Sequence, residues 1–420
     1  MFETITLMAL AACLTALSLI ISRRRKIPRL VPELTKVGNI QTALPHIARI
    51  TGSTLQRENE ASLFQNGKLL EAMLEHITNA QTTVHLETFV WEQGNLEKRV
   101  VALLCQKAQQ GVQIRVLVDA VGGRNASKAQ LSKLRKHGIE LAFYRPVARF
   151  SLRRFNNRNY RKLLIIDGIT AFIFGHGIKD VWCGKAQDSA HWRDTGVRLR
   201  GPTVASLQSL FIGDWMDAQQ NVPIGPEYFP EAPSHGGPVA AHVVDSTRTG
   251  GHSSVALLYM LAITSAREEV IIQNPYFAPQ KSVLAVLESA VKRGVDVHLM
   301  LPGQQNDSFL LYRAGHHLYG PLLRAGVRIY EYELNMLHQK IVVVDGVWSH
   351  IGTTNFDTRS LRLNAEVGVG LLDKSIAQEL RSAFLQDCQR SYEMTFTMWQ
   401  KRRWYQRGFD WAAYQLHGQL

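Results

Sequence analysis

Cysteine is scarce in this chain. Its 420 residues hold four, Cys13, Cys105, Cys183 and Cys388, at no paired spacing. That excludes a disulfide framework and a cysteine zinc site, and it suits a reducing, cytosolic face. Charge is modest too, at 20% of residues against 45% hydrophobic, which excludes a large disordered share. Acidic side chains are the scarcer sign: Lys+Arg number 48, Asp+Glu 35, and the net charge is +13. Such an excess favours anionic partners, either a phospholipid surface or nucleic acid, and composition does not choose between them. At this length two ordinary domains can each bury a core.

Charge is missing altogether over 4–22, a Leu-, Ile- and Ala-rich run that Arg23-Arg24-Arg25-Lys26 closes. Such a run just spans a hydrocarbon core of about 30 Å. A cleavable signal peptide carries its positive charge ahead of the apolar run, whereas here the charge comes after it. The positive-inside rule then puts the N-terminus outside and everything after Arg23 in the cytoplasm. The expectation is a transmembrane anchor over 1–22 and a juxtamembrane linker over 23–58. An interfacial amphipathic helix is the competing reading.

Beyond the linker the chain alternates between helix and strand. After an Asn66-Gly67 turn, Leu69, Leu70, Met73, Leu74 and Ile77 have helical spacing, and 83–90 reads as a strand. An amphipathic helix over 98–110 ends at Gly111, and a strand covers 112–119. A helix over 131–137 stops at Gly138, with a strand over 139–144. This β-α-β-α-β order predicts an α/β layer fold with a mostly parallel sheet. The series recurs: helix 259–266, strand 269–274, helix 283–293, strand 295–301, helix 322–325 and strand 327–332. Matched points keep similar offsets, Gly111 to Gly294, Gly138 to Gly326 and Lys162 to Lys340, so two copies of one domain is the economical reading. They are expected over 59–220 and 251–395. Between them, over 221–250, Pro223, Pro226, Pro230, Pro233 and Pro238 with Gly236-Gly237 predict a linker that is neither helix nor central strand. The tail, 396–420, is basic and aromatic, with Trp399, Arg402, Arg403, Trp404, Tyr405, Arg407 and Trp411. It suits a membrane interface and suits packing on the globular body equally.

The chemistry is concentrated in Leu337-His338-Gln339-Lys340, just ahead of the β-branched run Ile341-Val342-Val343-Val344 and Asp345-Gly346. In extended backbone His338 and Lys340 point to one face, which pairs a group able to attack or pass a proton with one able to hold a phosphate. A near copy, Asn159-Tyr160-Arg161-Lys162-Leu163-Leu164-Ile165-Ile166-Asp167-Gly168, has Tyr160 in place of the histidine.

The duplicated pattern, with Gly352-Thr353-Thr354-Asn355 and Glu366 downstream, resembles the phospholipase D superfamily. The anchor, the length and the wording of the first copy narrow the resemblance to bacterial cardiolipin synthases, over roughly residues 60–395. The resemblance implies two tandem phospholipase D-like α-β-α domains in a pseudo-twofold bilobal body. It implies His338 as a nucleophile forming a phosphohistidine, with Lys340 and Asn355 on the non-bridging oxygens and Glu366 accepting the other imidazole N–H. Lys162, Asp167, Asp345 and Tyr160 complete the implied catalytic set, with Asp194 as the counterpart of Glu366 and with Thr353 and His176 orienting. Neither cofactor nor metal is implied. The implied partners are anionic phospholipids, phosphatidylglycerol and cardiolipin, at a bacterial inner membrane, with the domains facing the cytoplasm.

The first copy departs from that family. Besides Tyr160, Phe174 stands where the family has glycine and Gly177 where it has asparagine. Three readings stay open: Tyr160 donates the proton, His176 or His191 substitutes, or the site is impaired. The basic run Arg145, Arg149, Arg153, Arg154 and Arg158, with Phe150 and Phe155, is expected at the site mouth, or else as a solvated loop. A membrane-tethered nuclease and a non-catalytic lipid-binding relative are the competing functions.

Overall fold

The chain builds one α/β layer twice, and a computed structural model describes residues 38–146, 157–231, 236–246, 248–249 and 252–416. The expected anchor and most of the basic run around Arg149 to Phe155 lie outside these residues. Among the described residues no helix is long and apolar enough to cross a membrane.

The first half comprises α1 (Ile40–Ile50), β1 (Gln56–Glu58), β2 (Glu60–Gln65), α2 (Gly67–Asn79), β3 (Thr83–Thr88) and α3 (Asn95–Gln109). It continues through β4 (Gln113–Asp119), α4 (Lys128–Lys136), β5 (Glu140–Tyr144), β6 (Leu163–Ile166), β7 (Thr170–Ile173), β8 (Thr195–Arg200) and α5 (Thr203–Gln219). The second half opens with β9 (Gly237–Asp245), α6 (Ser254–Ser265), β10 (Glu269–Gln273), α7 (Lys281–Lys292), β11 (Asp296–Pro302) and α8 (Phe309–Ala325). It closes with β12 (Arg328–Tyr332), β13 (Ile341–Val344), β14 (Trp348–Gly352), β15 (Val367–Leu372), α9 (Lys374–Cys388), β16 (Ser391–Met394), α10 (Phe396–Gln400) and α11 (Trp404–Leu416).

Seven strands form one sheet in the order β2-β8-β7-β6-β3-β4-β5, and nine form the other, β1-β9-β15-β14-β13-β10-β11-β12-β16. Dropping β1 and β16 from the edges leaves the same connectivity in both. The sheets are mixed rather than mostly parallel. Among the described strands of these two sheets, only β3-β4-β5 and β10-β11-β12, which helices connect, run parallel. Hairpins supply the motif strands, because Asp167-Gly168 and Asp345-Gly346 take left-handed backbone (φ +54°, +64°, +52° and +58°) and turn β6 into β7 and β13 into β14.

Two expected linkers are partly strand. Gln56–Glu58 pairs with Gly237–Asp245, so the proline-rich connection contributes a strand between β1 and β15. Pro238 is tolerated because it lies outside the part paired with β15, where the β1 register shifts. One hydrophobic core joins the halves: Ile165 and Leu199 of one sheet, Val343 and Val369 of the other, with Phe211 of α5 and Phe384 of α9. Burying each such side chain contributes about 1.5–3 kcal/mol. The two sheets therefore hold their motif-bearing strands in a fixed relation.

Candidate active site

All four residues of β6 and all four of β13 are buried, so the residues just ahead of them emerge at a defined place. There each half reaches into the other. Asn159 bridges Ala365 and Leu337 bridges Arg193, both in parallel sense. The amide of Tyr160 donates to Ala365 O at 2.8 Å and that of His338 to Arg193 O at 2.7 Å. Each motif is thus registered against the acid-bearing segment of the opposite half.

This register decides the partner of His338. Its Nδ1 lies 2.8 Å from Asp194 Oδ2. A carboxylate only accepts, so Nδ1 carries the proton and Nε2 keeps its lone pair. The expectation that Glu366 fills this role is corrected: Glu366 lies on the same half as His338, and the cross-half register delivers Asp194 instead. Trp182 and Trp192 wall the ring, each with its centroid 5.4 Å away. Burial first and the Lys340 charge second push His338 down to about 4, so the imidazole is neutral near pH 7. Burial alone would raise the Asp194 carboxyl, but the His338 hydrogen bond and the nearby Lys340 ammonium hold it below the ordinary range.

Lys340 Nζ stands 3.1 Å from both ring nitrogens of His338. Burial drives its pKa down to about 7, with Asp194 opposing and Lys162 adding to the fall. Lys162 is lowered to about 8, again by burial first, against the pull of Glu366 and Asp194. The two ammonium groups thus act on each other and on the same carboxylates.

On the first half, the Tyr160 ring stacks on Phe89 with centroids 3.9 Å apart, and Lys162 Nζ bonds Tyr160 O at 2.7 Å. Burial pushes the phenol well above its ordinary pKa, so it is neutral at pH 7 and a poor nucleophile. Glu366 lies beside this half. Thr353 Oγ1 donates to its Oε2 at 2.5 Å, so Thr353 positions a carboxyl rather than facing outward. Burial raises Glu366 to about 7, while Lys162 and the hydroxyls of Thr353 and Ser360 oppose the rise. Asn355 is 4% exposed, and its Oδ1 finds no hydrogen-bond partner among the described residues.

Two expected catalytic residues are elsewhere. Asp167 accepts bonds from the amides of Gln81, Thr82 and Thr83, and Asp345 from those of Arg267, Glu268 and Glu269. Each sits at the far end of its strand from the lysine and ties the hairpin turn to the start of the adjacent antiparallel strand, β3 or β10. They are structural staples. His176 is buried against Phe174, its Nδ1 3.2 Å from Gly177 O, and burial lowers it to about 4. His191 is held by Asp188 at 2.6 Å and by Gln187. Arg158, expected at the mouth, is buried, bonds Tyr144 O and Arg145 O, and forms an ion pair with Asp119 at 3.2 Å.

Several site-building residues are not evident from the sequence pattern. Arg161 crosses between the halves, meeting Asp214 at 2.5 Å, Asp245 at 3.1 Å and Glu366 O at 3.3 Å. Arg193 pairs with Asp387 at 3.1 Å in the opposite sense. A signal exists in two places: Arg161 is the residue between the motif tyrosine and lysine, and Glu87 is an acid inside the strand expected over 83–90. Buried beside Asp214, Glu87 is held well above the ordinary carboxyl range.

The aromatic tail both packs and projects. Asp410 of α11 pairs with Arg313 of α8 at 2.7 Å and with Arg402. Trp404 is nevertheless 83% exposed and Trp411 56%, beside exposed Arg403, Arg407 and Phe309.

A doubled α/β half whose two lysine-bearing motifs each register against the opposite half is the architecture of the phospholipase D-like class. The solved phosphatidylserine synthase of Haemophilus influenzae Rd KW20 superposes with a TM-score of 0.67, covering 89% of this chain and 98% of that one. At 14% identity it speaks for the fold alone. The family profile "Cardiolipin synthase, PLD-like domain" matches residues 73–178 and 259–388. Cardiolipin synthase 2 of Staphylococcus epidermidis is 33% identical over 353 residues, 83% of this chain and 72% of that protein. Cardiolipin synthase of Listeria monocytogenes serotype 4a is 34% identical over 359 residues, 84% and 73%. The chain belongs to the phospholipase D-like cardiolipin synthase family.

Proposed function

We propose that the chain is a membrane-bound phosphatidyltransferase that joins two phosphatidylglycerol molecules into cardiolipin. The observation that carries this is the His338 ring, held by Asp194 at 2.8 Å so that Nε2 keeps its lone pair, with the Lys340 ammonium 3.1 Å from that nitrogen. Nε2 attacks phosphorus, the P–N bond forms and glycerol leaves. Lys340, Lys162 and Asn355 stabilise charge on the non-bridging oxygens. The hydroxyl of a second phosphatidylglycerol then attacks, the P–N bond breaks and the ring is released neutral. Water in place of that hydroxyl gives phosphatidic acid. Binding at an anionic bilayer is supported by the net charge of +13 and the exposed Trp404 and Trp411 among arginines.

The test is incubation of the purified full chain with labelled phosphatidylglycerol and, separately, with single-stranded DNA. Cardiolipin and an acid-labile phosphohistidine are expected, both lost in His338→Ala. Strand cleavage without lipid product discards the proposal in favour of a nuclease. Equal cardiolipin yield from wild type and His338→Ala in cells lacking other synthases favours a lipid-binding relative.

A further inference from the structure

The missing histidine leaves a carboxyl group with no ring to orient. In the other half, Asp194 Oδ2 bonds the His338 imidazole, and the Arg193 carbonyl beside it accepts the His338 amide. By the pseudo-twofold, Glu366 is the equivalent acid, and the Ala365 carbonyl beside it accepts the Tyr160 amide at 2.8 Å. Yet the phenol ring lies on Phe89, and Glu366 is left fully buried with Oε1 lacking a hydrogen-bond partner among the described residues. Oε2 is fixed by Thr353 and the Ser360 hydroxyl stands close to the carboxyl, so Oε1, which makes no hydrogen bond of its own, is held in one direction.

From this geometry we infer that Glu366 is a catalytic residue in its own right, the proton carrier that replaces the absent histidine. The inference rests on the transfer chemistry proposed above. In the first step the P–N bond to His338 forms, the P–O bond to glycerol breaks, and Glu366 Oε1–H gives its proton, through one water, to the departing oxygen. Glu366 is then a carboxylate. In the second step the incoming hydroxyl returns a proton to it by the same path as its oxygen bonds phosphorus and the P–N bond breaks. Protons and electron pairs balance over the cycle, and no other reactant is required.

The other candidates fit less well. Tyr160 is a weaker acid than free phenol here, and its ring is engaged by Phe89. His176 is a buried neutral imidazole stacked on Phe174 with its Nδ1 on Gly177 O, and His191 is bonded to Asp188. Glu366 is raised to about 7, where a group both gives and takes protons at physiological pH. The titratable groups around it are Lys162, Lys340, Asp357, Tyr160 and Tyr259. Lys340 falls in the same range, so a pH profile alone does not separate the two.

Two leaving groups separate them. Full-length wild type, Glu366→Gln and Tyr160→Phe are each given phosphatidylglycerol and a phosphatidyl p-nitrophenyl ester, whose phenolate departs without a proton. Phosphohistidine formation is followed by rapid quench across pH. Glu366→Gln is expected to slow the reaction of phosphatidylglycerol about 10²–10⁴-fold while the nitrophenyl ester stays within about tenfold of wild type. The fall in rate as pH rises through 7 should shrink with phosphatidylglycerol only. Tyr160→Phe should keep the leaving-group sensitivity of wild type. Equal loss on both substrates, or no loss, overturns the proposal, as does Tyr160→Phe showing the selective defect instead. A wild type that forms no phosphohistidine from either substrate sinks the transfer reading itself, and this inference with it.

Discussion

The exchange Asp194→Asn tests the cross-half contact on which the site depends. The perturbation is small in volume and removes one charge. The bond it alters is 2.8 Å long and buried at both ends, with Asp194 1% and His338 9% exposed. A hydrogen bond to a buried charged acceptor contributes about 1.5–3 kcal/mol, which at about 1.4 kcal/mol per tenfold is a rate loss of about 10–150-fold from orientation alone. Asparagine can also donate to Nδ1 and so trap the tautomer whose proton sits on Nε2. In Ser-His-Asp triads that exchange costs about 10⁴. We therefore expect phosphohistidine formation to fall by about 10²–10⁴-fold. The assay is rapid quench with labelled phosphatidylglycerol, with a thermal melt to show that the variant is folded. Glu366→Gln serves as the comparison, because its defect depends on the leaving group and this one should not. An Asp194→Asn burst within about threefold of wild type would refute the argument, since a ring that needs no partner owes nothing to the register between the halves.

Binding of a phosphodiester should take up protons. Lys340 lies near 7 and Lys162 near 8 because burial disfavours their charge, and an anion beside them restores it, so affinity should weaken as pH rises from 7 to 9. Calorimetry of a non-cleavable phosphonate in buffers of different ionisation heat measures the uptake, and none at pH 8 contradicts the assignment. Asp167→Ala and Asp345→Ala should each lower stability by about 1–3 kcal/mol, from unmade bonds to three backbone amides, while active-site titration shows little change in rate per folded molecule. A rate collapse without a melting shift would restore them to the catalytic set. Trp404→Ala with Trp411→Ala should weaken sedimentation with anionic vesicles by about tenfold or more, given the aromatic area each exposes. Unchanged partition would make this face irrelevant to the bilayer.

Local chemistry is readable from the chain. The β-branched run after Lys340, the Asp-Gly turns and the glycines closing α3, α4, α7 and α8 act through near-neighbour sterics, and they announce the repeat without any contact being known. The longest helix of the second half is legible only over its last turn. Gly315, Gly320 and Pro321 interrupt its pattern, and the purpose of Gly320 is tertiary: a Cβ there would collide with the Trp399 ring. The strand inside the proline-rich connection is hidden for the same reason, since only pairing with β1 and β15 makes it a strand.

By itself the sequence determined the two motifs, their spacing and the loss of one histidine, because these depend on residue type and strand period. Tertiary structure alone decided which acid serves which motif. That choice is made by the parallel bridges between Leu337 and Arg193 and between Asn159 and Ala365, contacts between distant stretches of chain that no local pattern encodes. Through them His338 gains Asp194, and Glu366 is left beside a tyrosine with an oxygen free.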